Sequence, residues 1–220
     1  MTETIRLKHL LPHVFRGMEQ SEALRRSEVW LAPQLEFRRG CRVCIQAESG
    51  GGKSSMLSFI YGNRSDYDGT VLYDDEDARG FSPRRWCELR TRSVALLPQE
   101  MRLFPELTAM QNLNLKNRLT NRKTDDELRT LLDRFELLPK ADVPVAQLSI
   151  GQQQRVALIR ALCQPFDFLL LDEPVSHLDR RNNLLAARIV SDEAEAQGAG
   201  IISTSVGNPL LLDGAQVIAL

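Results

Sequence analysis

Two stretches of this 220-residue chain carry residue types and spacings that can do chemistry. The first is Ala47-Glu48-Ser49-Gly50-Gly51-Gly52-Lys53-Ser54-Ser55, in which three consecutive glycines precede a lysine and two serines. Glycines let the backbone curl its N–H groups around a polyphosphate, and a helix that starts there adds the partial positive charge of its N-terminus. In such a loop Lys53 reaches the β- and γ-phosphates and the Ser54 hydroxyl ligates Mg²⁺. The second stretch is Asp172-Glu173-Pro174. An aspartate at the end of a buried strand can hold Mg²⁺ through water, which leaves Glu173, projecting differently, to polarise an attacking water. Paired acids in a loop are usually solvated surface, and the bland alternative for the glycine run is a flexible turn. Here Lys53-Ser54 in register, and the apolar run ahead of Asp172, favour phosphate chemistry.

The flanking residues supply the elements these groups need. Arg42 to Gln46 reads as a short strand entering the loop, and Leu57, Ile60 and Tyr61 follow it at helical spacing. Phe168-Leu169-Leu170-Leu171 reads as a buried strand that delivers Asp172 at its C-terminal end, where open α/β sheets place their ligands. Ser93 to Leu97 is a similar run ending at Pro98-Gln99, and Ile201 to Thr204 and Gln216 to Ala219 read as the last two strands. Between them, Pro105 suits a first helical position with Leu107, Met110 and Leu113 beyond it. Thr124 with Glu127, and Ser149 with Gln152, have the form of capping boxes that open amphipathic helices, and another helix runs through Leu184 to Val190 and ends near Gly198. Before Gly40, Ile5 to Leu10, Val29 to Leu31 and Leu35 to Phe37 predict strands of a small antiparallel sheet, joined by Asp66 to Tyr73. Strands alternating with helices around a phosphate loop predict an α/β fold with helices on both faces of a parallel sheet.

Composition narrows the class. A net charge of −1 with no basic stripe argues against nucleic acid as a partner. The four cysteines include Cys41-x-x-Cys44, but this pair sits on the strand entering the loop and has no second pair, so free thiols in a reducing compartment are expected rather than a zinc or redox site. Met1-Thr2-Glu3-Thr4 does not open a signal peptide, and no apolar run approaches the ~20 residues of a membrane-spanning helix.

Leu148-Ser149-Ile150-Gly151-Gln152-Gln153-Gln154-Arg155 then makes the chain resemble the ATP-binding cassette ATPases, whose signature LSGGQ it matches except at Ile150. Gln99 resembles the family's Q-loop glutamine and Ser176-His177-Leu178-Asp179 its D-loop, all in the family's order from about Leu35 onward. Phe104 to Asn112 looks most like the lipoprotein-release and macrolide-export branch. The resemblance implies a P-loop NTPase (RecA-like) parallel-sheet core, a small N-terminal antiparallel β subdomain and an inserted α-helical subdomain at roughly 100–160, all within one domain, 1–220. It implies ATP and Mg²⁺ as cofactors, with Ser49 to Ser55 on the phosphates, Ser54, Gln99 and Asp172 around the metal, and Lys53, Gln99 and Glu173 in catalysis. It further implies that two cassettes, a homodimer or a pair, stack head to tail, so that Ser149, Gly151, Gln152 and Asp179 meet the nucleotide of the other chain. The partner is then an integral membrane permease, and the cassette sits in the cytoplasm on the inner face of the membrane. Met101, Leu103 and Phe104, if they do not pack on the helices, are exposed where the family docks its membrane partner.

Three departures bear on activity. Ala47 replaces the glycine that usually opens the phosphate loop, which is tolerable if its φ stays negative. Ile150 replaces a signature glycine. The family's switch histidine has no counterpart, since His9, His13 and His177 all precede the relevant strand, and Ser205 stands in its place. A neutral hydrogen bond from serine contributes about 0.5–1.5 kcal/mol, against about 1.5–3 for a charge-assisted one. The family's base-stacking tyrosine is also absent, because every tyrosine follows the loop, so Phe15 or Trp30 is expected to take the adenine, with Phe15 preferred. The leading expectation is a transporter ATPase subunit. The alternatives are a nucleotide-gated dimerisation module with weak or no hydrolysis, and a soluble cassette outside transport.

Overall fold

The computed structural model describes all of residues 1–220. In chain order its elements are β1 (Thr4–Pro12), α1 (Glu22–Arg26), β2 (Leu35–Arg38), β3 (Arg42–Gln46), α2 (Lys53–Ile60), β4 (Tyr67–Tyr73), β5 (Glu76–Asp77) and α3 (Pro83–Arg92). They continue with β6 (Val94–Leu97), α4 (Ala109–Asn117), α5 (Asp125–Arg134), α6 (Ile150–Ala161), β7 (Phe168–Leu171), α7 (Arg180–Glu195), β8 (Gly200–Ser205) and β9 (Gln216–Ala219). Five strands form a parallel sheet in the order β6-β7-β8-β3-β9, and β2-β1-β4-β5 form an antiparallel sheet. No helix is long and apolar enough to cross a membrane.

The parallel sheet follows from strands that are apolar on both faces. All four residues of β7 are buried; Phe168 and Leu170 enter the core shared with the antiparallel sheet, while Leu169 and Leu171 enter the core under α4, α5, α6 and α7. A strand alternates its side chains with period two, so this run has no polar face to offer water and must be covered twice. Parallel strands also bring all their C-terminal ends to one edge. The residues after β3, β6, β7 and β8, namely the glycine loop, Gln99, Asp172-Glu173 and Ser205 at the end of its strand, therefore share that edge.

The antiparallel sheet bends at a bulge. The β1–β4 register shifts between Lys8 and Leu11, His9 adopts φ +47°, and a Cβ on Gly69 would lie 2.3 Å from the His9 carbonyl oxygen. Only glycine fits that crossing.

Two expectations are corrected. Val29 to Leu31 is not a strand. The Ser27 hydroxyl accepts the N–H groups of both Val29 and Trp30, and Leu31 takes φ +59°, so the segment turns rather than extends. Nor does α4 begin at Pro105. Thr108 and Gln111 form a reciprocal capping box that starts it at Ala109, while the carbonyls of Pro105 and Leu107 accept N–H bonds from Ala146 and Val145. The boxes at Thr124 and Ser149 open α5 and α6 as expected. Helix α3, absent from the sequence reading, begins at a Ser82 cap with Pro83 in its first turn.

Candidate active site

The glycine loop closes around the end of α2. Gly50 and Gly52 sit at φ +83° and +95°, which side chains rarely adopt. Ala47 keeps a negative φ, so its methyl is not strained. That methyl nevertheless has a consequence: a Cβ on Gly51 would lie 2.9 Å from the Ala47 Cβ, so the departure at 47 makes the second glycine obligatory. The N–H groups of Gly52, Lys53 and Ser54 have no acceptor within the protein. They are donors presented at the start of a helix, the arrangement that suits an anion.

Lys53 is 5% exposed and its Nζ donates to the carbonyls of Ala47 (3.1 Å) and Glu48 (3.0 Å). Across the cleft it lies 3.8 Å from Oε1 of Glu173. A space of about 230 Å³ is lined by Ser49, Gly50, Gly52, Lys53, Ser54, Ser55, Gln99 and Glu173, none of them hydrophobic. The structure thus brings together the loop, Gln99 from the end of β6 and Glu173 from the end of β7. Ser55 turns its hydroxyl aside to accept from Arg64, at 2.8 Å, leaving Ser54 the exposed hydroxyl.

Asp172 lies behind this cleft, buried, with Oδ1 accepting from the Thr204 hydroxyl at 2.7 Å. The same Thr204 oxygen accepts the backbone N–H of Glu173 at 3.1 Å, and Glu173 is held at φ +48°. Thr204 fixes both acids, and the sequence reading missed it because Thr204 is 32 and 31 residues from them in the chain. Replacing it with isosteric valine leaves a buried carboxylate and a buried N–H without partners. Thr204→Val is expected to lose about 1–3 kcal/mol in a denaturant titration and to hydrolyse more slowly at saturating nucleotide. Unchanged stability would mean that the two acids keep their places unaided.

Ser205 is buried at the end of β8 and its Oγ accepts the N–H of Gly207 at 3.0 Å. Its hydroxyl proton therefore remains to be donated. It lines a second space of about 170 Å³ with Glu173, Ser176, Val206 and Asn208. The serine and the glutamate share that opening.

Ser149, Gly151, Gln152 and Asp179 line neither space. Ser149 and Gln152 are engaged in the capping box at the exposed start of α6, and Asp179 caps α7. The Asn182 backbone N–H bonded to the Asp179 carboxyl holds it below the usual carboxylate range. A Cβ on Gly151 would lie 3.1 Å from the carbonyl of His177, so α6 packs closely on the segment that follows Glu173. Gln154, also missed, ties the two together. Its Nε2 donates to the Glu173 carbonyl (3.1 Å) and the Ser176 hydroxyl (3.2 Å), while its Oε1 accepts the His177 N–H (2.9 Å).

Beside the loop a larger cavity of about 540 Å³ is bounded by Phe15, Met18, Leu24 and Trp30 on one side and Ser49 to Gly51 on the other. Phe15 is half-buried, whereas Trp30 is 2% exposed and donates its indole N–H to the Gly51 carbonyl. Cys41 and Cys44 are free thiols; burial pushes Cys41 up to about 11 and raises Cys44 as well, which suits neither metal nor redox chemistry. Just past Gln99, Met101 and Leu103 do pack against the helical core, so of the three only Phe104, 52% exposed, is left free for a partner.

The ABC transporter family profile matches residues 32–176. The chain is 32% identical over 178 residues to the lipoprotein-releasing system ATP-binding protein LolD 1 of Chlorobium chlorochromatii, covering 78% of this chain and 71% of that one. It is 28% identical over 189 residues to the macrolide export ATP-binding/permease protein MacB of Campylobacter jejuni, spanning 84% of this chain but 29% of that protein. Among solved structures, the dimeric bacterial ABC transporter cassette MJ0796 superposes with a TM-score of 0.79 at 25% identity, over 98% of this chain and 94% of that one. This chain belongs to the ABC transporter family. It is an ATP-binding cassette, an ATPase with the P-loop NTPase fold.

Proposed function

We propose that the chain is a single nucleotide-binding domain, residues 1–220 with a helical insertion at roughly 100–160, that hydrolyses MgATP in a head-to-tail pair and so drives a separate membrane subunit. The observation that carries this is the Lys53–Glu173 approach of 3.8 Å across a polar cleft that Gln99 also lines. Lys53 and the free N–H groups of the loop hold the phosphates, and Glu173 takes the proton of the attacking water. For Mg²⁺ the donors are oxygen atoms throughout: the exposed Ser54 hydroxyl, the Gln99 amide oxygen in the same cleft, and Asp172 behind it. That set suits a hard cation, which supplies charge neutralisation of the phosphates when bound. Phe15, half-buried in the cavity beside the loop, is assigned the adenine. Ser149, Gly151, Gln152 and Asp179, placed away from their own chain's cleft, are assigned to the nucleotide of the paired cassette, a homodimer partner in the simplest case.

The membrane partner is assigned to the exposed Phe104, five residues after Gln99; on this reading the cassette is peripheral on the inner face of the cell membrane through that partner. The names of its relatives suggest lipoprotein release or macrolide export as the transport class. A second reading, a dimerisation module gated by nucleotide, is favoured by Ser205 in place of a histidine.

Steady-state phosphate release and size-exclusion chromatography with MgATP separate the two. Turnover with an ATP-stabilised dimer is expected, and Ser205→Ala is expected to lower kcat about 2- to 10-fold, the worth of one neutral hydrogen bond. Dimerisation without turnover, alone and with a membrane partner, would favour the gated module.

A further inference from the structure

We propose that Trp30 is a positioning residue that presets the phosphate loop by holding one of its peptide groups in the phosphate-binding orientation. This rests on Ser49 to Ser55 being the phosphate loop. The indole Nε1–H donates to the carbonyl of Gly51 at 3.1 Å, and the ring is 2% exposed. In a trans peptide the carbonyl and the following N–H point in opposite directions. Drawing the Gly51 carbonyl toward Trp30 therefore turns the Gly52 N–H the other way, and that N–H has no acceptor in the protein. It is left for a ligand.

The same ring limits the loop sterically. A Cβ on Gly52 would lie 2.8 Å from the Trp30 ring, and Gly52 already sits at φ +95°. The glycine is pressed against a flat, buried surface on one side while its N–H faces the other.

Trp30 is itself well anchored. The Ser27 hydroxyl accepts its backbone N–H at 2.8 Å, and the Leu31 N–H bonds to the Leu10 carbonyl at 2.9 Å. Two residues before Trp30, Glu28 pairs with the last strand, its N–H to the Ala219 carbonyl (2.9 Å) and its carboxylate to the Ala219 N–H (2.7 Å). A glycine loop that is free in solution must be ordered by its ligand, which weakens binding; one held in advance by a rigid neighbour binds more tightly. Trp30 supplies that neighbour from the excursion between β1 and β2.

The test replaces the N–H without changing the ring. In a Trp86→Phe background, Trp30 is substituted by benzothienylalanine, in which sulfur replaces the indole nitrogen, alongside a Trp30→Phe variant. Affinities for ATP and for inorganic tripolyphosphate are measured by calorimetry. Loss of one neutral bond predicts affinity about 3- to 10-fold weaker for both ligands by the same factor, with KM raised and kcat unchanged. The isosteric analogue keeps the core filled, so its thermal midpoint should match that of its parent. Weaker ATP with unchanged tripolyphosphate would overturn the proposal and make Trp30 a base contact. Unchanged affinity for both would overturn it too. Failure of the parent protein to bind either ligand would instead remove the phosphate-loop reading on which it rests.

Discussion

Glu173→Gln is expected to cut ATP turnover about 10²- to 10⁴-fold while nucleotide binding stays level or tightens. The substitution removes the carboxylate and little else. The main chain of residue 173 is held by Thr204 at its N–H and by Gln154 at its carbonyl, so the φ of +48° has support that the side chain does not provide. What changes is the cleft. Without nucleotide, Glu173 lies 3.8 Å from Lys53 and competes with phosphate for that ammonium. A neutral amide competes less, so the affinity for MgATP should not fall and the ATP-bound pair should persist. Phosphate release in the steady state, with binding measured by calorimetry, checks both halves. Turnover close to that of the unmodified chain would remove Glu173 from the chemistry.

Lys53→Ala is expected to act on the other parameter. Two charge-assisted bonds to phosphate oxygens, at about 1.5–3 kcal/mol each, correspond to an affinity loss of about 10²- to 10⁴-fold. The side chain is 5% exposed, and it also bonds the carbonyls of Ala47 and Glu48, so its removal loosens the loop's first turn besides deleting the charge. Direct binding to ATP is the measurement. A loss smaller than tenfold would mean that the backbone donors carry the phosphates by themselves.

How much of this was legible in the sequence depended on distance along the chain. The glycine loop, Asp172-Glu173 and the signature run are local motifs whose chemistry and spacing can be read from consecutive residues. The capping boxes at Thr124 and Ser149 were legible for the same reason. The contacts made by Thr204, Gln154 and Trp30 were not, because each acts on a segment brought near by the sheet order or by the excursion between β1 and β2. Thr204 is 32 residues from Asp172, and Trp30 is 21 from Gly51. The misplaced start of α4 has a different origin. Proline fits a first helical position, but the Thr108–Gln111 box satisfies two terminal N–H groups at once, and the carbonyls before it were already taken by 145 and 146. Val29 to Leu31 had the apolar composition of a strand, yet Ser27 offered its backbone a local partner instead.

Gln154 sits on the fifth residue after the serine that opens α6, yet its amide grips three points beyond the next strand: Glu173, Ser176 and His177. One buried side chain thereby welds the head of that helix to the backbone of the acid, as a rivet joins two plates. Any tilt of α6 must carry the Glu173 carbonyl with it or break several bonds at once. The exposed serine at the helix tip and the acid at the cleft are then two ends of one lever, with Gln154 as its fixed joint.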